Sequence, residues 1–248
     1  MICIYITTFE KIKSRFELFR LNINTINNMV KEKVILIGSS GHSKVIIDIF
    51  EKEGKYEILG IVDFNRKVGE TVLGYSILGA DNQLPEIIKS HPGTKVFVAI
   101  GHNWLRQKVV NNILSLLPSI EFATAIHPSA QIGKAVSIGH GVAIMAGAII
   151  NSDAIIGNFT IINTKASIDH ECKLNDFSSL APNATLGGNV SIGAYTSISI
   201  SATIIQGITI GANTVIGACA LVTKNFGDNI VAYGIPAKIK RERRPEDK

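Results

Sequence analysis

The chain has 248 residues, 46% of them hydrophobic and 6% aromatic, a formal charge of +5 and three cysteines. No apolar run is long enough to span a membrane, and Cys3, Cys172 and Cys219 form no CxxC pair and are odd in number, which sets aside membrane insertion and a disulfide framework and fits a reducing cytoplasm. The basic surplus sits at the two ends, since residues 29 to 237 hold fifteen basic and fifteen acidic side chains, so nucleic acid is not an expected partner.

Residues 1–28 lack a basic start followed by an unbroken apolar stretch and do not read as a signal peptide. They are expected to be a leader, either a disordered arm or sequence ahead of a true start at Met29. From Lys33 the chain alternates strand and helix. KVILIG (33–38) is a buried strand, HSKVIIDIFEKEG (42–54) an amphipathic helix stopped by Gly54, and EILGIVD (57–63) and KVFVAI (95–100) further strands. One helix is expected around Leu84 to Lys89 and another from Trp104 to Leu117, closed by Pro118. Strands alternating with helices imply a small parallel sheet of Rossmann-like topology over residues 29–125. Two glycine turns, Gly38-Ser39-Ser40-Gly41-His42 and Ile100-Gly101-His102-Asn103, fall at carboxyl ends of strands, where such sheets bind ligands. Glycine lets backbone approach a phosphate at a helix N-terminus, but the third glycine of a dinucleotide fingerprint is missing, so a mononucleotide or nucleotide-sugar fits better than NAD. Plain tight turns are the other reading. Asp63 ends a strand where a carboxylate could accept from a base or a sugar hydroxyl.

IHPSA (126–130) opens a different pattern. Aliphatic residues recur at every sixth position from Ile132 through Ile168 and Ile198 to Val222, sixteen in all without a failure. The slot four residues after each is small or β-branched, and the slot directly after is mostly glycine, asparagine or aspartate. A helix needs a period of 3.6 and a half-buried strand a period of 2, so a strict six leaves a β-helix, with three hexapeptides to a triangular coil. The aliphatic is expected to face the axis and the bend-tolerant residue after it to turn the corner. At about 4.8 Å per coil, the run builds roughly 25 Å of prism over residues 126–237. Residues 238–248 read as a basic tail.

Nine ionisable side chains of type Asp, Glu, Lys, Arg or His lie between Ile132 and Thr223, and six of them fall between Lys165 and Asp176. Within that patch, Asp169-His170-Glu171 flanks an imidazole with carboxylates, the arrangement of a general base. A solvated surface histidine is the alternative for His170 on its own.

GSSGH (38–42), AIGHN (99–103), HPSAQIG (127–133), DHEC (169–172), GGNVSIG (187–193) and GIPAK (234–238) together resemble the bacterial sugar O- and N-acyltransferase family, which includes sialic acid O-acetyltransferases and UDP-4-amino-sugar N-acetyltransferases. The resemblance covers residues 33 to 240. It implies an α/β Rossmann-like nucleotide-sugar domain followed by a left-handed parallel β-helix, acetyl-CoA as co-substrate, no metal, and a homotrimer with the co-substrate in a groove between neighbours. By position it implies His170 as general base with Glu171 raising its basicity. It implies Ser40, Gly41, His42, Asp63 and Gly101 as holders of the nucleotide-sugar, with Asn163 near the acceptor. Ser179, Gly188, Ile200 and Ala218 are implied along acetyl-CoA. Two departures stand out: Ser179 replaces a second histidine common in relatives, and Phe64 interrupts an acidic pair that would continue from Asp63.

The expected function is therefore N-acetylation of a nucleotide-linked 4-amino sugar for a bacterial surface glycan. O-acetylation of sialic or a related nonulosonic acid is the alternative, and a non-catalytic trimeric scaffold is the alternative of another class. A β-helical zinc carbonic anhydrase needs three histidine ligands, and His140 and His170 supply no close pair within the repeats.

Overall fold

The computed structural model describes residues 31–244, so the expected leader and the last residues of the basic tail lie outside the described residues. The first half is a five-stranded sheet with the order β3-β4-β2-β1-β5. Its elements are β1 (Glu32–Ile37), α1 (Gly41–Glu53), β2 (Tyr56–Val62), β3 (Thr71–Val72), β4 (Tyr75–Gly79), α2 (Leu84–Ser90), β5 (Lys95–Val98) and α3 (Asn103–Leu116). The unbroken apolar run Val34 to Leu36 is fully buried in β1, which pairs in parallel with β2 and β5, as a strand covered on both faces must be. Gly54 takes a left-handed conformation at the end of α1 and returns its N–H to the Phe50 carbonyl, the stop read from the sequence.

The β3–β4 hairpin was not expected. Its strands are short and turn at Leu73-Gly74, and β4 joins β2 in parallel through a hairpin rather than a helical crossover. A reading that looks for strand–helix alternation passes over it.

The second half is a left-handed parallel β-helix. After β6 (Ala125–Ile126) come sixteen two-residue strands, from β7 (Gln131–Ile132) to β22 (Leu221–Val222), each pairing in parallel with the strand eighteen residues away. Face I holds residues 131–132, 149–150, 167–168, 185–186, 203–204 and 221–222, face II starts at 137–138, and face III starts with β6 and 143–144. Fourteen of the sixteen aliphatics are buried along the axis, while Ile132, on the first coil, is 39% exposed because no face I strand lies beneath it.

One detail of the corner departs from expectation. The left-handed residue is not the one directly after the aliphatic but the one two further on, as at Asp153, Glu171 and Asn189. Glycine is common directly after the aliphatic for want of space: a Cβ on Gly133 or Gly187 would meet a backbone nitrogen of the next coil at 2.7 Å.

The prism closes with β23 (Ile230–Gly234) and β24 (Ala237–Glu242), an antiparallel hairpin that extends face III and buries Ala232 and Ala237 over the axis. The expected basic tail thus begins as an edge strand, because Ala237 and the Tyr233–Lys238 pairing continue the sheet past residue 237.

The two halves meet at the corner between faces II and III. Phe159, Phe177 and Tyr195, eighteen residues apart, stack in a ladder with centroid separations of 4.9 and 5.6 Å, and Trp104 of α3 lies flat on Tyr195 at 4.3 Å. Arg106, 1% exposed, donates to the carbonyls of Phe159 (2.8 Å), Phe177 (3.2 Å), Ile100 and Gly101 (both 3.0 Å) and to Asn103 Oδ1 (2.8 Å). Asn103 Nδ2 in turn donates to Ser197 Oγ at 3.0 Å. A buried guanidinium with this many oxygen partners holds two structural units in one register.

Candidate active site

Three features converge on the glycine turns and the charged coil. The first is a cleft of about 370 Å³ at the carboxyl ends of β1, β2 and β5, lined by Gly38, Asp63, Phe64, Asp81, Ile100 and Lys108 among others. It lies where the strand order reverses, the usual ligand crevice of an open α/β sheet. Gly38 has φ of +100° and a Cβ there would press on Ile100 at 3.2 Å, so glycine is needed for both conformation and space. A Cβ on Gly41 would meet nothing within 4 Å, and Ser40 caps α1 without a side-chain hydrogen bond. Asp63 works within the turn itself: Oδ2 accepts from Ser39 N–H (2.8 Å) and Ser39 Oγ (2.6 Å), and Oδ1 from Asn65 N–H (2.8 Å). Burial, and then the Asp63 charge, push Asp81 above the usual carboxylate range.

The second feature is a pocket of about 340 Å³ between the two halves, lined by His42 and Gly101 from the α/β half and by Asn163, Ser179, Ser199 and Ile200 from face III and its corner with face I. Five residues named from the sequence thus share one wall. Among the described residues, His42 Nε2 is buried without a hydrogen-bond partner. Burial, and then the Arg106 charge, pull the His42 pKa down to about 4, so the imidazole is neutral at physiological pH. Burial likewise lowers Arg106 to about 9, which leaves it charged there.

The third feature is the Asp169-His170-Glu171 corner between faces I and II. His170 Nδ1 lies 3.0 Å from Glu171 Oε2, and because a carboxylate only accepts, the pair fixes the proton on Nδ1 and leaves Nε2 as the basic nitrogen. Asp169 Oδ1 accepts from Asn151 Nδ2 (2.9 Å) and His170 N–H (2.8 Å), and these bonds, that of Asn151 first, hold Asp169 below its usual range. Gly188 lies on the same corner one coil on, whereas Ser179, Ile200 and Ala218 lie along face III and the face III–I corner. Within one chain His170 and the pocket therefore occupy different corners of the same coil. Sequence reasoning missed the Asn103 and Arg106 contacts and the aromatic ladder; phenylalanine and tyrosine at positions 159, 177 and 195 carried the signal as an eighteen-residue spacing.

A larger cavity of about 460 Å³, lined by Ile88, Thr94, Leu117 and Glu121, lies at the opposite, amino end of the sheet, away from all of these groups.

Residues 33–113 match the PglD N-terminal domain. A histidine mutant of perosamine N-acetyltransferase from Caulobacter crescentus, solved with CoA and GDP-perosamine, is 39% identical, with 85% of this chain and 97% of that chain covered and a TM-score of 0.80. The acetyltransferase domain of PglB from Neisseria gonorrhoeae, solved with acetyl coenzyme A, is 29% identical over 85% of this chain and 100% of that one, with a TM-score of 0.76. WeeI from Acinetobacter baumannii is 25% identical over 84% and 99%, with a TM-score of 0.75. An uncharacterized protein of Acanthamoeba polyphaga mimivirus is 35% identical over 103 residues, and the chain spans 20% of the length of that curated relative. The chain belongs to the hexapeptide-repeat sugar acetyltransferases that carry a PglD-type N-terminal domain. No helix of the described residues is long and apolar enough to cross a membrane.

Proposed function

We propose that this chain transfers the acetyl group of acetyl-CoA to the amine of a nucleotide-linked 4-amino sugar destined for a bacterial surface glycan. The observation that carries the reading is the pocket that joins His42 and Gly101 to Asn163, Ser179 and Ile200 and lies beside the switch-point cleft. The cleft takes the nucleotide, the glycine turns flank its phosphates, and the pocket takes the sugar. That the Caulobacter relative was solved with both CoA and GDP-perosamine supports an acetyl donor and a nucleotide-linked amino sugar as the two substrates.

His170 and the pocket lie on different corners of one prism but on the same coil, hence at one height. A trimer about an axis parallel to the prism would therefore bring the partner subunit's His170 level with the pocket of its neighbour, and the charge-free stretch 177–223 suits the contact. Light scattering that finds a monomer at micromolar concentration would contradict the trimer.

The thioester supplies an activated acetyl carbonyl. His170 takes the proton of the acceptor amine through Nε2 as the nitrogen attacks, and Glu171 stabilises the imidazolium that results; when the tetrahedral intermediate collapses the C–S bond breaks, CoA leaves as the thiolate and takes that proton back from His170. Asn163 and His42 orient the sugar, with neutral His42 able to bond a hydroxyl or amine without adding charge. Neither Ser179 nor Cys172 is needed as a nucleophile, and Cys172 is fully buried.

The test is thiol release from acetyl-CoA with UDP- and GDP-linked 4-amino sugars and free sialic acid, for the unaltered chain and for His170→Ala. Turnover on an amino sugar that disappears in the variant is expected. Turnover on sialic acid alone would replace N- with O-acetylation, and no release with any acceptor would leave a trimeric scaffold.

A further inference from the structure

The sheet order places four strand tips side by side, β4, β2, β1 and β5. The glycine turn Gly38–Gly41 follows β1, Asp63 and Phe64 follow β2, and Asp81 lies two residues past β4. Asp81 and Phe64 line the same cleft as Gly38. At the inter-strand spacing, Asp81 stands about two strands, roughly 10 Å, from the glycine turn. A nucleotide whose phosphates lie at that turn would therefore carry its ribose past Asp63 and bring its base to Phe64 and Asp81.

The fold accounts for neither of these two side chains. Phe64 is 78% exposed, yet the chain around it is fixed: Asn65 N–H donates to Asp63 Oδ1 at 2.8 Å and Arg66 Nε to Ser39 Oγ at 3.1 Å. A lone exposed aromatic is ordinary on a protein surface, but one held on the wall of a ligand crevice offers a fixed flat face. Asp81 differs from its neighbour Asp63, whose carboxylate is taken up by Ser39 and Asn65. Burial and then the Asp63 charge raise the Asp81 pKa, and among the described residues no hydrogen bond offsets them. Both of its oxygens therefore lack the donors that a half-buried carboxylate calls for.

We propose that this cleft selects guanine, with Phe64 stacking on the purine and the Asp81 carboxylate accepting from N1–H and the 2-amino group. The inference rests on the reading that the cleft takes a nucleotide, and it names the carrier. Guanine alone among the common bases sets two adjacent donors on one edge, which suits a carboxylate's two oxygens, and Lys108, which lines the same cleft from α3, is a donor for O6. Uracil presents N3–H between two carbonyl oxygens, so the second Asp81 oxygen would face a lone pair. Adenine offers its amino group beside an acceptor nitrogen and fails for the same reason. Asp81 also opens the short 3-10 turn Asp81–Gln83, where a carboxylate favours the exposed N–H groups, but that role is indifferent to the base bound.

The test is calorimetric titration of GDP, IDP and UDP into the unaltered chain, Asp81→Asn and Phe64→Ala. The unaltered chain is expected to bind GDP roughly five- to a hundredfold more tightly than UDP, the range for one bidentate base contact. It should prefer GDP to IDP, which lacks the 2-amino group, by about tenfold, as for one hydrogen bond to a charged group. In Asp81→Asn both ratios should fall towards one, because an amide pairs with N3–H and O4 of uracil. Phe64→Ala should weaken GDP binding by roughly tenfold, the cost of a lost stacking face. A preference for UDP, or an Asp81→Asn variant that keeps the GDP preference, overturns the assignment, and so does unchanged GDP binding in Phe64→Ala. The two proposals separate by turnover: acetylation of a UDP-linked amino sugar in preference to a GDP-linked one removes this inference alone, and a chain that binds no nucleotide and releases no thiol removes both.

Discussion

His170 lays its imidazole over Gly188, so that a Cβ on Gly188 would fall 2.7 Å from both Cε1 and Nε2. Gly188 thus keeps open the side of the ring that carries the basic nitrogen. Gly188→Ala should push the imidazole aside and lower kcat by roughly a hundredfold, the cost of misplacing a catalytic group by about 1 Å. Its melting temperature should stay close to that of the unaltered chain, since the ring it displaces is exposed. Steady-state rates beside thermal melts check both halves.

Glu171 touches His170 but not the prism core, which makes its contribution separable. Glu171→Gln keeps a hydrogen-bond acceptor for Nδ1 and loses the charge, so kcat should fall by about tenfold with the acceptor KM nearly unchanged. His170→Ala should cost about 10²- to 10⁴-fold, the range for a general base. Equal losses in the two variants would contradict a division between base and orienting carboxylate.

His42 makes acid stability a reporter of the pocket. Its folded pKa, about 4, lies below the ordinary histidine value of 6.5, so between those values the unfolded chain binds the extra proton. Stability should therefore be full above pH 6.5 and decline as pH falls towards 4, by up to about 3 kcal/mol from this group. Urea midpoints at pH 7 and pH 4.5 should separate less in His42→Gln than in the unaltered chain.

Arg106 bonds four carbonyls and the Asn103 amide oxygen from a fully buried position. Arg106→Met would leave the Phe159 and Phe177 carbonyls without that donor, and a loss of about 3–5 kcal/mol is expected, as for breaking other buried charge networks. Calorimetry should record a fall of roughly 6–20 °C in Tm for a chain of this size. Trp104→Ala removes the flat contact with Tyr195 and should destabilise by less than Arg106→Met, because the ladder beneath it persists.

The prism was legible because its period is written in one residue class, and a missing aliphatic would have broken the series at once. The charged coil stood out for the same reason, against a neutral background. The β3–β4 hairpin left no such trace, since seven strand residues around Gly74 supply too little periodicity to distinguish strand from loop. The corner geometry was misassigned because sequence marks where glycine occurs but not whether it is there for φ or for room. Arg106 was hidden for another reason. A charged residue on an amphipathic helix ordinarily faces water, and the carbonyls of Phe159 and Phe177, which complete the set of partners that makes its burial tolerable, lie more than fifty residues away.

The eighteen-residue coil also makes the prism a ruler with fixed graduations. Deleting residues 199–216 would remove one whole coil, leave every column aligned, and bring Tyr233 about 4.8 Å closer to Asn163. Deleting six residues would instead turn everything above the cut by a third of a revolution and carry the closing hairpin away from the pocket to another face. With the faces kept in line, the distance between the pocket and the closing hairpin can therefore change in steps of one coil and by nothing smaller.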